Sequence, residues 1–198
     1  GTYYGGYDND IGYSCATDAS GNIYLSGWSK SSTGIATTGA HQTTNGGGYD
    51  AFLVKFNSSG VRQWGTYYGG IETEYGYTCA TDASGNVYLS GWSKSTSGIA
   101  TTGAHQDTLK ARYDVFLVKF NSSGVRQWGT YYGGEGDDYG WFCATDVNGN
   151  IYLTGQTYSS TGIATTGTHK TTIVGLRADA FLVKFNSSGV RQWGTYYG

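Results

Sequence analysis

Gly65-Thr-Tyr-Tyr-Gly69 organises the whole chain, because the same five residues begin at Gly1, Gly129 and Gly194 and the sequence between successive copies recurs with scattered substitutions. The copies start 64, 64 and 65 residues apart. A period held that constant marks a repeat protein, in which each unit is one supersecondary structure that buries its apolar faces only by stacking on its neighbours.

Working outward from the first copy, Gly12-Tyr-Ser-Cys-Ala-Thr-Asp18 predicts a short strand, and Asp18-Ala-Ser-Gly-Asn22 a turn whose glycine suits a left-handed position. A second strand follows over Asn22–Trp28. After a long polar stretch, Asp50-Ala-Phe-Leu-Val-Lys-Phe56 is dense enough in aromatic and aliphatic residues for a strand covered on both faces. Asn57-Ser-Ser-Gly60 then reverses the chain into Val61–Tyr68. The four strands, A to D, form an antiparallel meander with two apolar faces, which describes a propeller blade. A β-helix would use shorter coils without hairpin signals, and a sandwich would need about seven strands per unit. The expected fold is all-β: three four-stranded antiparallel blades over residues 5–68, 69–132 and 133–198, with residues 1–4 equivalent to the end of a preceding D strand. The period exceeds the roughly 40 to 50 residues of common blades because the B to C connection, Ser29 to Tyr49, is long. Connections of that length are usually functional or ordered on themselves.

Asp18-x-x-Gly-Asn-x-Tyr-x-x-Gly27, Asp50-Ala-Phe-x-x-Lys55, Asn57-x-x-Gly60 and Thr66-Tyr-Tyr-Gly-Gly70 together resemble the bacterial β-propeller repeat called SBBP. The resemblance spans nearly the whole chain. It implies a multi-bladed propeller in large secreted or cell-surface proteins. The chain departs from that pattern at Gly34-Ile-Ala-Thr-Thr38, where members often carry an aromatic-Pro-Thr segment.

Composition agrees with strands and turns: 34 glycines, 19 tyrosines, no proline and no methionine. Twelve basic and fourteen acidic side chains leave a formal charge of -2, and half of the basic ones (Lys55, Arg62, Lys119, Arg126, Lys184 and Arg191) occupy two repeated columns. That pattern lacks the basic cluster a phosphate backbone needs, which argues against nucleic acid as a partner. No apolar run approaches the roughly 18 residues of a membrane span, so membrane insertion is not expected, and nothing resembles a signal peptide. A chain that opens on glycine and ends within its own repeat reads as excised from something longer. Propellers have at least about four blades; three leave two open flanks. Those flanks call for further blades of a longer parent chain, or for a second copy that completes a six-bladed ring. Cys15, Cys79 and Cys143 recur once per copy and are expected to be buried, reduced packing residues.

Three columns are candidate sites, on the face where the D to A and B to C connections of a propeller converge. The first is acidic: Asp8 and Asp10, Glu72 and Glu74, then Glu135, Asp137 and Asp138. Such carboxylates could hold calcium or bond sugar hydroxyls, or simply accept backbone N–H groups in turns. The second is Trp28 and Trp92, replaced by Gln156 in copy three. A tryptophan beside a polar loop can stack a sugar ring, which would make copy three the weaker site, or can pack beneath the loop. The third is His41, His105 and His169, for which a loop-anchoring hydrogen bond is the plainer alternative to metal or catalytic use. Asn57, Asn121 and Asn186 match a glycosylation acceptor pattern but sit in predicted turns. No nucleophile elbow or phosphate-cradling loop is present. The sequence therefore points to a non-enzymatic extracellular or cell-surface scaffold or adhesion module that contacts glycans or surface proteins. The alternative is a multivalent carbohydrate-binding propeller. No cofactor or metal is expected; calcium is the one ion the carboxylates suggest.

Overall fold

Strand-forming residues dominate between the turns, and a computed structural model, describing residues 1–173 and 177–198, contains twelve strands and, among those residues, no helix. They form three four-stranded antiparallel sheets, each in simple sequence order. Sheet 1 comprises β1 (Asp10–Thr17), β2 (Ile23–Ser29), β3 (Asp50–Phe56) and β4 (Arg62–Tyr68). Sheet 2 comprises β5 (Glu74–Thr81), β6 (Val87–Ser93), β7 (Asp114–Phe120) and β8 (Arg126–Tyr132). Sheet 3 comprises β9 (Asp138–Thr145), β10 (Ile151–Thr157), β11 (Asp179–Phe185) and β12 (Arg191–Tyr197). The meander read from copy one is thus present in all three. Its first strand begins earlier than the expected Gly12, because Asp10 and Ile11 pair with Ser29 and Trp28. A bulge after Gly12 accommodates the extra residue.

The turns follow their side chains. Asn57 Oδ1 accepts the backbone N–H groups of Ser59 and Val61 at 3.0 and 2.9 Å, and Gly60 closes the reversal at φ 76°. Asn121 and Asn186 repeat the arrangement.

Sheets stack through their faces: β5 packs on β1, β2 and β3, and β9 on β5, β6 and β7. Buried side chains of two neighbouring sheets merge into one core, as where Tyr24, Leu53 and Tyr68 of sheet 1 join Leu89, Phe116 and Phe120 of sheet 2. The arrangement is blade-like.

The long B to C connection lies along the outer strand of its own sheet. Thr37 N–H bonds Gly65 O at 2.9 Å, Gln42 N–H bonds Thr66 Oγ1 at 3.0 Å, and Tyr67 N–H bonds Gln42 O at 3.1 Å. An edge strand otherwise presents unpaired backbone groups to other chains. Here the loop covers that edge, and its Ile35 is fully buried against Phe52, Val54 and Tyr67. The length of the repeat is therefore explained by an edge cover built into each unit.

The repeated Tyr-Tyr-Gly-Gly serves this packing. Tyr67 hydroxyl donates to Ser31 O of its own loop at 2.5 Å, whereas Tyr68 hydroxyl donates to Ile99 O of the next sheet's loop at 2.5 Å. A Cβ on Gly70 would sit 2.3 Å from Ser97 O, so only glycine permits that approach.

The three cysteines are unbonded, as expected, but differ in burial: Cys79 is buried, Cys143 partly so and Cys15 exposed. Cys79 Sγ points at Ser14 O and Tyr24 O of the preceding sheet, 3.9 and 3.7 Å away. Cys15 occupies the same column in a sheet with nothing on that side, so the expectation of burial holds for Cys79, holds in part for Cys143 and fails for Cys15.

Candidate functional site

Each junction between sheets forms a cavity that is open to solvent on one side. The first, of about 710 Å³, is lined by Thr37–His41 of the loop, Lys55 and Trp64 of sheet 1, and Ser122–Arg126 of the sheet 2 turn. The second, of about 500 Å³, repeats it with Thr101–His105 and Trp128 facing Ser188–Arg191. The walls are held across the junction. Trp64 Nε1 and Lys55 Nζ both donate to Ser122 O, at 3.0 and 3.1 Å, and Trp128 and Lys119 both donate to Ser187 O, at 3.2 and 3.0 Å. Lys55 also lies over the Tyr24 ring at 5.3 Å and 4.0 Å from Asp18.

His41 and His105 line the mouths of these cavities and stay largely exposed. The His41 ring lies 6.0 Å from Tyr68 and 5.9 Å from Phe120, and His105 takes the matching position by Tyr132 and Phe185. Among the described residues no histidine ring makes a hydrogen bond, so the anchoring is aromatic contact rather than the hydrogen bond expected. Partial burial against the Tyr68 and Phe120 rings, with the Arg126 guanidinium nearby, holds His41 down at about 4 although one side of the ring stays open to solvent. Burial and then Arg191 do the same for His105, also to about 4. Both are neutral imidazoles at physiological pH, able to donate and accept. His169 stacks on Tyr197 at 5.9 Å, at a flank with no following sheet.

The tryptophan column lies elsewhere. Trp28 is buried, 4.9 Å from the Tyr49 ring and 5.3 Å from Tyr75. Trp92 stacks on Tyr75 at 4.5 Å and meets Tyr113 edge-on at 4.9 Å. Both indoles pack among tyrosine rings, which is the packing alternative to a sugar platform. Gln156 donates from Nε2 to Tyr158 hydroxyl at 2.9 Å.

The acidic column divides by burial. Glu74 and Asp138 are fully buried, and Asp10 is their equivalent on sheet 1. Glu74 accepts Gly70 N–H at 2.8 Å, Ser93 Oγ at 2.7 Å and Ser95 N–H at 3.2 Å. Asp138 accepts Gly134 N–H and Ser159 Oγ, and Asp10 accepts Gly6 N–H and the Ser29 and Ser31 hydroxyls. These carboxylates cap backbone donors, although they are not the solvated turn residues envisaged. Asp8 and Glu72 lie at the surface beside Lys30 and Lys94, 3.8 and 2.9 Å away. Glu135 and Asp137 are not buried.

A second set of carboxylates starts the C strands. Asp50 Oδ2 accepts Gln42 Nε2 at 2.5 Å and Gly46 N–H at 2.9 Å, while its Oδ1, like Asp114 Oδ1 and Asp138 Oδ1, is buried without a partner among the described residues. A Cβ on Gly69 would touch both Asp50 Oδ1 and Glu74 Oε2, at 2.8 and 2.5 Å. Burial, with Glu74 close by, pushes Asp50 up to about 6. Burial and the neighbouring Asp114 push Asp138 up to about 6. In copy three the glutamine becomes Lys170, whose ammonium meets Asp179 at 2.6 Å and Gly198 O at 2.6 Å. Among the described residues no three His, Cys, Asp or Glu side chains converge as a metal site would require.

The cavity walls at Trp64, Trp128, Arg126 and Arg191 were missed as site residues by the sequence reading. The signal was the repeated Val-Arg-Gln-Trp, whose tryptophan and arginine line different junctions. No protein-family model and no curated protein matches the chain.

Proposed function

We propose that the chain is a non-enzymatic binding scaffold, part of a β-propeller that works in an extracellular or cell-surface setting, as the SBBP resemblance implies. Its contact sites are the cavities between neighbouring sheets. The observation that carries this reading is the repetition of one polar, aromatic-edged cavity at both junctions, with His, Trp, Arg and threonine hydroxyls in matching places. Neutral imidazole, guanidinium and hydroxyl groups around an indole suit a hydroxyl-rich ligand such as a glycan. Weak sites repeated at fixed spacing gain strength through effective concentration on a multivalent surface.

The test is a glycan-array screen of the native chain beside the His41→Ala, His105→Ala double variant, with circular dichroism as a check on fold. The expected result is saturable binding to a defined glycan class, lost in the double variant. Binding that is absent, or indifferent to both histidines, overturns the cavity assignment.

A further inference from the structure

The two open flanks are the two halves of the junction found twice inside the molecule. A sheet offers its successor four donors or rings: at the first junction these are Lys55 and Trp64 to Ser122 O, Tyr68 to Ile99 O, and His41 against Phe120. Sheet 3 carries all four again as Lys184, Trp193, Tyr197 and His169. Among the described residues Lys184 Nζ and Trp193 Nε1 find no hydrogen-bond acceptor; Lys184 only lies over the Tyr152 ring at 5.4 Å. Sheet 1 carries the matching receptors: the exposed Ser58 and its carbonyl, Ile35 O and Phe56. Side chains follow the same rule. Leu53 and Leu117 are fully buried, whereas Leu182 is 38% exposed. Tyr68 and Tyr132 are fully buried, whereas Tyr197 is 69% exposed. At the opposite flank Cys15 is exposed where Cys79 is buried.

One seat on the sheet 1 flank is already filled. Tyr4 hydroxyl donates to Ile35 O at 2.6 Å and its ring lies 5.6 and 5.7 Å from Phe52 and Phe56. Those are the contacts Tyr68 makes with Ile99 O, Phe116 and Phe120. The flank therefore seats the last tyrosine of a Gly-Thr-Tyr-Tyr segment as an interior junction does.

We infer that the sheet 3 flank of one chain docks on the sheet 1 flank of a second copy, and that two copies close head to tail into a ring of six sheets. Interfaces between unlike patches close or run on as filaments according to the rotation they impose. Closure would bury both flanks of both chains. It would also complete two more cavities, each pairing His169 and Trp193 with Ser58 and Arg62 of the other copy. In the ring Tyr197 of the second copy takes the Ile35 seat, and residues 1–4 give it up. This inference concerns assembly and stands whether or not the cavities bind a glycan.

The junction supplies a chemical probe. Thr78 Oγ1 lies 3.7 Å from Cys143 Sγ across the second junction. Phe142, 70% exposed, holds the position of Thr78 on sheet 3, and Cys15 that of Cys143 on sheet 1. Phe142→Cys under mild oxidation is expected to give a covalent dimer as the main species, lost when Cys15→Ser is added. Sedimentation of the native chain is expected to show a species of twice the chain mass. Leu182→Glu, at a position already part exposed, is expected to leave a folded monomer by circular dichroism, and removal of residues 1–4 to lower the concentration at which dimer forms. A native chain that stays monomeric as concentration rises, a ladder of open oligomers, or cross-linking that persists without Cys15 would each overturn the inference.

Discussion

Residues 50–56 and 179–185 are the same heptapeptide, Asp-Ala-Phe-Leu-Val-Lys-Phe, yet the first is buried at nearly every position and the second alternates buried and open. The difference is the neighbour. β3 has a sheet on its following side and β11 has none, so Ala51 and Leu53 are covered while Ala180 and Leu182 are not. Burial in this molecule is thus a property of the junction rather than of the strand, as expected for units that rely on nearest neighbours. Sheet 2, flanked on both sides, is the reference against which the end sheets can be measured.

The largest contrast is expected from leucine truncation. Leu117→Ala should destabilise by about 2–5 kcal/mol in chemical denaturation, and Leu182→Ala by much less while its flank is open. Equal costs would break the comparison. The carboxylates come next. Asp50 is raised from its ordinary value to about 6 in the folded chain, so the folded state holds more protons than the unfolded one between about pH 4 and 6. The resulting penalty is complete above about pH 6 and vanishes as pH falls toward the ordinary carboxylate range. Asp50→Asn should therefore stabilise by roughly 1–3 kcal/mol at pH 7.5 and by little at pH 4. Asp179→Asn should do the opposite at neutral pH, since it strands the Lys170 ammonium that now pairs with it. Thermal melts of both variants at the two pH values check the sign.

A smaller effect separates the tyrosines. Tyr68→Phe removes the hydroxyl that bonds Ile99 O across the first junction and should cost about 1–2 kcal/mol, whereas Tyr197→Phe in the monomer should cost almost nothing. Thiol chemistry gives the finest comparison and needs no change in stability. Burial pushes the Cys79 thiol up to about 11 and the Cys143 thiol up to about 12, while Cys15 is exposed. A thiol reagent should label Cys15 quickly in the monomeric Leu182→Glu chain, where its flank is open, and the other two only on unfolding.

The four strands and their turns were legible because their signals are local: dense apolar runs, and Asx turns such as Asn57 with Gly60. The role of the long connection was not. Its bonds run from Thr37 to Gly65 and from Gln42 to Thr66, and backbone pairing between distant residues leaves no mark on composition. The columns were visible as columns, but their directions were not. Trp28 and Trp92 turned out to pack among tyrosines that also recur, and the cavity combined His41 and Trp64 of one copy with Arg126 of the next. A junction formed by two copies cannot be read from one of them.

Stacking of each sheet on the next is the claim from which the cavities, the pH response and the assembly all descend. Its most direct test is the engineered bond Thr78→Cys to Cys143, in a chain also carrying Cys15→Ser and Cys79→Ser. The 3.7 Å separation across the junction predicts complete oxidation to an intrachain disulfide without loss of fold. Free thiols that persist under the same oxidation would contradict the stacking itself.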